Sequence, residues 1–330
     1  MTSPEFSSKG STEKFMTSVE SGALTSRDVA RRCVADLLAP VGWDEFLAKY
    51  WDCAPLCLQS QVSFSSLADI REVFRLIESG APWQFRRLPE VYLDGGFVSH
   101  EDIVCEYVDM DGRRARAPNL ARLRNLLNAG ATVNCFGQEY HFPPLQRLRE
   151  AFAIAFTAEV EVSFFYSRCN HQGLAPHYDC VEIFVLQIHG SKTWHISSQR
   201  VAAPLVGHGS GTVYDPELPH ATMELRSGDL LYIPRGTFHQ AIATSEESLH
   251  TAIAVKVPTY VDMLNVLEKT AREFDSVRSY LPLSDGDRRV EAAPRLLEML
   301  TEVVGTEAYR AALEQLVLLR ARAGSLSSFK

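Results

Sequence analysis

Between Val160 and Val257 the apolar residues of the sequence recur at every second position within short segments. The segments that carry this alternation are EVSFFYS, VEIFVLQIHG, KTWHIS, DLLYIP and HTAIAVKV, and clusters of Gly, Pro and Ser separate them. Alternation with period two is typical of strands, in which successive side chains point to opposite faces. Short strands at this spacing predict an antiparallel sandwich or barrel.

Helical patterns flank this β region on both sides. Apolar residues at helical spacing precede it in DVARRCVADLL, WDEFLAKYW, SLADIREVFRLIESG, NLARLRNLLNAG and PLQRLREAFAIAF, and follow it in YVDMLNVLEKTAREF, APRLLEMLTEVVG and EAYRAALEQLVLLRARAG. We therefore predict a mainly β fold with helical flanks and a C-terminal helical bundle. The predicted organisation is a partly disordered segment over 1–37, a domain over 38–257 that holds the strands and the helices before them, and the bundle over 258–330.

Composition narrows the class of protein. The first thirty residues lack the apolar run of a secretory signal and no later segment is long and apolar enough to cross a bilayer, so we expect a cytoplasmic protein without membrane contact. The seven cysteines are scattered and form no CxxC pair, which argues against a disulfide framework and a structural zinc site. A net charge of −8 argues against direct nucleic-acid binding and is compatible with a basic protein or peptide partner.

A group of three side chains is the candidate metal site. His177 and Asp179 stand two positions apart in a strand-like segment, so both can point to one face. His239 is the third candidate, because it follows a turn-rich stretch from which antiparallel pairing can bring it beside the other two. A lone His-x-Asp is more often a surface pair, and a single His more often packs in a core or rim. Two His and one carboxylate are the facial arrangement of non-haem Fe(II) sites, whereas zinc more often takes three His or a Cys.

Several stretches resemble one family. PVGWDEFLAKYWDCAPLCL, NAGATVNCFGQEY, QGLAPHYDCVEIFVLQIHGSKTW and SGDLLYIPRGTFHQA are similar to the JmjC-type ribosomal oxygenases of the cupin superfamily, over residues 38–280. The spacing Gly228-x5-Pro234-x-Gly236-x2-His239 resembles the second cupin motif. The resemblance implies a double-stranded β-helix core with Fe(II), O2 and the cosubstrate 2-oxoglutarate, and it implies iron binding at the three residues above.

The resemblance also implies that Lys192, in the segment GSKTW, pairs with the far carboxylate of 2-oxoglutarate. A cation inside a barrel needs a counter-charge to offset its desolvation, which agrees with this role. The alternative is a solvated lysine after a Gly-Ser turn. The strand before the metal ligands departs from the family, which has an Asn, a Tyr and a Thr-Pro where this chain has Ser163, Phe165, Ser167 and Arg168. The remaining cosubstrate contacts therefore stay open.

The function implied by the resemblance is hydroxylation of a carbon in an amino-acid side chain of a protein or peptide, with Arg or His of a ribosomal protein favoured. Three alternatives stay open: the same chemistry on a biosynthetic small molecule, carrier-bound amino acid or modified peptide; lysine demethylation; and a non-catalytic cupin that binds a metal or acts as a scaffold. The family resemblance also implies a homodimer through the C-terminal helices, where apolar stripes would fit an interface or a lid equally well.

Overall fold

A computed structural model describes residues 27–59, 64–84, 87–137, 139–168, 171–208, 211–281 and 292–322. The predicted disorder of the first residues falls largely on 1–26, outside this described part. Its helices are α1 (Arg27–Leu37), α2 (Trp43–Lys49), α3 (Ile70–Glu78), α4 (His100–Ile103), α5 (Leu120–Asn128), α6 (Pro143–Phe156), α7 (Tyr260–Ala271), α8 (Asp275–Arg278), α9 (Ala292–Val304) and α10 (Glu307–Arg322). Its strands are β1 (Leu56–Leu58), β2 (Glu90–Leu93), β3 (Gly96–Val98), β4 (Val104–Val108), β5 (Arg114–Pro118), β6 (Thr132–Phe136), β7 (Glu159–Arg168), β8 (Glu182–His189), β9 (Ser191–Arg200), β10 (His220–Arg226), β11 (Leu230–Ile233), β12 (Thr237–Ala243) and β13 (Glu247–Lys256).

Two sheets form the β core. The larger sheet has eight strands in the order β1-β11-β8-β13-β7-β6-β2-β3, and the smaller has the order β10-β9-β12. Apolar side chains from both sheets share one buried cluster, which comprises Ile183, Val185, Trp194, Ile196, Leu225, Leu231, Ile233 and Ala252. Because strands distant in sequence are neighbours in each sheet, this is a jelly-roll arrangement, and the predicted fold class is confirmed.

Four strands of the larger sheet, β1, β2, β3 and β6, come earlier in the chain than the predicted β region. β2, β3 and β6 extend the sheet beyond β7, and every residue of β6 is buried. A five-residue strand that is buried throughout has no polar alternation to reveal it. The prediction of helices alone before Val160 was therefore wrong.

Local signals set the helix boundaries. The structure begins α3 at Ile70 rather than in the SLAD segment, because the Asp69 side chain accepts hydrogen bonds from the main-chain N–H groups of Arg71 (2.9 Å) and Glu72 (3.2 Å). At the start of α7, Thr259 and Asp262 form a reciprocal capping box. Both caps use side chains that satisfy N–H groups left free at a helix start.

The chain divides into two compact units, Met1–Ala155 with Val160–Val255, and Phe156–Glu159 with Lys256–Lys330. The first contains both sheets. In the second, α7 contacts α9 and α10, and the Tyr309 hydroxyl donates to the Met263 carbonyl (3.5 Å). Within the described residues, no helix has the length and apolar character to cross a bilayer.

Candidate metal centre

Main-chain pairing brings the three predicted ligands together. His177 lies outside the regular strands, yet its N–H donates to the His239 carbonyl (3.1 Å), and the His239 N–H donates back to the His177 carbonyl (2.8 Å). This isolated antiparallel bridge fixes His177 beside β12. One ligand atom from each of His177, Asp179 and His239 lies within 4.8 Å of the other two.

Hydrogen bonds leave the same nitrogen free on both imidazoles. His177 Nδ1 lies 2.8 Å from the Ala175 carbonyl oxygen, and His239 Nδ1 lies 2.9 Å from the Thr237 carbonyl oxygen. A carbonyl only accepts hydrogen bonds, so each Nδ1 carries a proton, and in the neutral ring the lone pair that can bind a metal is then on Nε2. A carbonyl partner of this kind is typical of histidines that ligate metals.

The charge state of the cluster suits a cation. Burial, together with the nearby His177, lowers the pKa of His239 to about 4, so the ring is neutral near pH 7. His239 Nε2 lies 3.6 Å from Asp179 Oδ2. The cluster thus offers two imidazole nitrogens and one carboxylate oxygen on one side of a possible ion.

A turn at Gly236 positions the three metal-ligand candidates His177, Asp179 and His239, which are called the clamp below. The Gly236 N–H donates to the Asp179 carbonyl (2.7 Å), and the Gly236 carbonyl accepts from the Val201 N–H (2.9 Å). Gly236 has φ +80°, and a Cβ there would stand 2.0 Å from the Val201 carbonyl oxygen. Only glycine fits this position, which gives the physical reason for the glycine three residues before His239.

A network of ion pairs and hydrogen bonds stabilises the same turn. The Asp52 carboxylate pairs with Arg200 and with Arg235 Nη2 (2.8 Å), and Arg200 Nε donates to the Arg235 carbonyl (2.9 Å). The Tyr232 hydroxyl accepts from the Asp52 N–H (2.8 Å) and donates to Glu182. Asp52 thus ties the chain after α2 to the turn that carries His239, a link that sequence reasoning missed because the partners are more than 140 residues apart.

Lys192 lies in β9 with its side chain only 3% exposed. Its Nζ donates to Ser167 Oγ (2.8 Å), which lies 2.8 Å from Thr132 Oγ1. Burial lowers the pKa of Lys192 to about 7. Because the amine is buried, the solvated-lysine alternative does not hold, and no carboxylate of the described residues pairs with it.

Polar atoms without partners line the interior between His239 and Lys192. The Trp194 ring lies 6.0 Å from the His239 ring and 5.4 Å from the His250 ring, and Phe165 stacks on His250 at 4.7 Å. Trp194 Nε1 and His250 Nδ1 are buried without a hydrogen-bond partner in the described part of the chain. Burial, with Lys192 and His239 nearby, holds the pKa of His250 well below its usual value. Two polar groups are therefore available to a ligand.

The altered strand β7 sends alternate residues to opposite sides, as expected. Phe165 and Ser167 face the interior, and Tyr166 points away and donates to Glu247. Tyr166 therefore cannot replace the family's tyrosine. Sequence reasoning missed Thr132 and His250, because neither lies in a local motif.

Comparisons with known proteins agree with this geometry. Residues 136–263 match the family model described as the JmjC domain. The chain is 28% identical over 269 residues to a protein of Drosophila persimilis named bifunctional lysine-specific demethylase and histidyl-hydroxylase NO66, and 24% identical over 313 residues to the protein of that name from Aedes aegypti. These matches cover 78% and 87% of this chain but only 37% and 47% of the relatives. The chain thus spans less than half of each.

Solved structures share the fold. The X-ray structure of Escherichia coli ycfD aligns with a TM-score of 0.58 at 15% identity, covering 84% of this chain and 71% of that one. A second structure, of the ribosomal oxygenase YcfD in complex with cobalt and 2-oxoglutarate, aligns with a TM-score of 0.56 at the same identity and coverage. The family resemblance predicted from the motifs is confirmed.

Proposed function

We propose that the chain is a JmjC-domain protein of the cupin superfamily and an Fe(II)- and 2-oxoglutarate-dependent oxygenase. Its reaction is hydroxylation of a carbon in an amino-acid side chain of a protein or peptide. The observation that carries this proposal is one polar interior with a His177, Asp179 and His239 cluster at one end and the buried amine of Lys192 at the other.

The residues present fit an iron ion. His177 and His239 supply Nε2 atoms and Asp179 supplies a carboxylate, a donor set that leaves coordination positions open for other ligands. The carbonyls of Ala175 and Thr237 orient the two rings before any ion arrives.

The residues present also fit 2-oxoglutarate. Lys192 supplies a positive charge and Ser167 a hydroxyl for the far carboxylate, and the unpaired N–H of Trp194 faces the same interior. When bound, Fe(II) and 2-oxoglutarate activate O2, and the cosubstrate is oxidised to succinate and CO2 as the substrate carbon gains a hydroxyl. The chain's own part is to orient the cosubstrate and to exclude water with the apolar walls of the two sheets.

The substrate we favour is an Arg or His side chain of a ribosomal protein. One similar protein is named a histidyl-hydroxylase and a solved structure with the same fold is named a ribosomal oxygenase, and both names support a protein substrate. We further propose a cytoplasmic homodimer that contacts no nucleic acid directly. Lysine demethylation is the second candidate, because the same relatives are also named lysine-specific demethylases.

The test has two steps. Anaerobic addition of Fe(II) and then 2-oxoglutarate should produce the weak visible charge-transfer band of the chelate, and a scaffold protein would give none. Purified enzyme is then incubated with cell extract, and mass spectrometry follows peptides that gain one oxygen atom. If formaldehyde is released from methyl-lysine peptides and no peptide gains an oxygen atom, the reaction is demethylation rather than hydroxylation. If succinate forms with small amino acids but not with ribosomal protein, the substrate is a small molecule rather than a protein.

A further inference from the structure

The polar face of the larger sheet continues beyond β7 onto β6 and β2. Glu90 is paired with Asn134, and Asn134 with Phe165, in the antiparallel register. Directly opposed residues point to the same side of a sheet, so these three side chains form one row. Phe165 stacks on His250 in the interior. The row therefore faces the metal centre.

The β2–β3 hairpin lies against the segment that leads to His177. The Gly95 N–H donates to the Gly173 carbonyl (3.1 Å), and Gly95 bridges Leu174. A Cβ on Gly173 would stand only 2.6 Å from Thr132 Oγ1. This segment consequently runs directly over the strands that carry the row.

Tyr92 connects the hairpin to the clamp. Its hydroxyl donates to the Glu90 carboxylate (2.7 Å). Burial raises the pKa of Tyr92, as do Glu90 and, more weakly, the Asp179 carboxylate. Tyr92 is opposed to Thr132, and Thr132 to Ser167, which accepts from Lys192, so the Tyr92 and Glu90 pair lies on the face of the sheet that lines the interior.

The row presents one acceptor without a donor, on Asn134, and one carboxylate, on Glu90, that is only partly occupied. Asn134 is buried, and its Oδ1 accepts no hydrogen bond within the described residues. Glu90 accepts from Tyr92 and forms an ion pair with Arg87 at 3.6 Å, which is longer than the 3.0 Å pair that Arg87 forms with Glu161. A buried acceptor beside a carboxylate indicates that a ligand with N–H donors belongs there.

We propose that Glu90 and Asn134 receive the cationic end of the substrate side chain, a guanidinium, ammonium or imidazolium group. This inference rests on the proposed function, because it assigns a substrate position beside that site. A cation with several N–H donors satisfies both acceptors at once, whereas a neutral apolar side chain would leave them desolvated. Glu90 is thus a specificity-determining residue.

The test uses the full chain loaded with Zn2+ and 2-oxoglutarate, a combination that binds without turnover. Capped pentapeptides with Arg, Lys, His, citrulline or norleucine at the centre are titrated by ligand-observed NMR, and free arginine separates a peptide from an amino-acid source. We expect the Arg or Lys peptide to bind at least about tenfold more tightly than its neutral counterpart. Glu90→Gln, or Glu90→Ser if the first variant does not fold, should reduce that ratio to near one.

Glu106→Gln is the matched control, because Glu106 is an exposed carboxylate on β4 whose partner is Arg116; it should retain the tenfold ratio. If the wild-type protein binds 2-oxoglutarate but binds cationic and neutral peptides equally, this inference alone is overturned. The same holds if the Glu90 variants keep the preference for the cationic peptide. Failure of the wild-type protein to bind metal and 2-oxoglutarate overturns the proposed function and the inference together.

Discussion

Lys192 is the side chain whose burial has the clearest consequence for ligand binding. Its pKa of about 7 means that the amine is charged below pH 7 and increasingly neutral above it. Pairing with a carboxylate requires the charged form, so binding above pH 7 must take up a proton. We expect the affinity for 2-oxoglutarate to be highest below about pH 7 and to fall by up to about tenfold per pH unit above it.

Calorimetry of the Mn2+-loaded protein in buffers of different ionisation enthalpy measures this proton uptake directly. Near pH 8 it should approach one proton per 2-oxoglutarate bound. Lys192→Met should bind about ten- to a hundredfold more weakly below pH 7 and lose the uptake. Proton-independent binding at pH 8 would place the carboxylate's partner elsewhere.

His177 and His239 should each dominate metal affinity. His177→Ala or His239→Ala removes one of three donors, and we expect Co2+ affinity to fall at least about a hundredfold, more than the loss typical of an outer-shell change. His195 is the control, because it lies on β9 against Thr222 and His220, away from the cluster. His195→Ala should keep full affinity. Unchanged binding in either ligand variant would contradict the assignment.

The residues that sequence could reveal are those in local motifs. His177 and Asp179 share a period-two spacing and His239 follows a glycine turn, so their types and positions carry the signal. Thr132, Asn134 and His250 carry none, because they reach the interior only through the pairing of strands far apart in the chain. Pairing register is a property of the folded sheet and not of any one segment.

Among the elements, the turn at Gly236 is the one on which the clamp most depends. Gly236→Ala places a methyl group against the Val201 carbonyl and adds strain at φ +80°. Gly207 has φ +78° with nothing within 4 Å of its Cβ position, so Gly207→Ala measures the φ strain alone. We expect a loss in the free energy of unfolding of about 1–2 kcal/mol for Gly207→Ala and about 3 kcal/mol or more for Gly236→Ala.

Chemical denaturation gives both values, and Co2+ titration gives the functional effect. Because Gly236 donates to the Asp179 carbonyl, its replacement should also weaken Co2+ binding at least about tenfold. Equal effects of the two substitutions would mean that the turn adapts to the added methyl group and does not set the clamp.

Length decided much of what could be predicted from sequence, although four-residue β11 was predicted from its apolar run and seven-residue β10 was missed. β7, β8 and β13 have eight to ten residues each, enough positions for a pattern to emerge. β2 and β3 have four and three residues, too few to distinguish a strand from a loop by periodicity. The missed strands include the one that carries Glu90, which explains why sequence gave no account of a substrate position.

At the scale of the whole molecule, the feature that matters is the group of exposed apolar residues on α7 and α9. Leu264 is 61% exposed and Leu297 is 67% exposed, and Tyr260 and Val261 are exposed on α7 as well. Exposed apolar side chains on two helices that contact each other indicate an interaction site, and the proposed homodimer would bury them. Leu264→Glu should therefore convert a dimer into a monomer, because a buried carboxylate without a partner opposes association.

Light scattering after size-exclusion chromatography measures the mass of each variant. Lys269→Glu is the control, because it also adds negative charge at an exposed position of α7 but removes no apolar surface; it should remain dimeric. A wild-type monomer would exclude the homodimer, and a dimer that tolerates Leu264→Glu would locate the interface on another surface. Because the cluster of metal ligands lies wholly in the unit that holds the sheets, the monomeric variant should still bind Co2+, which separates the role of the helices from that of the metal centre.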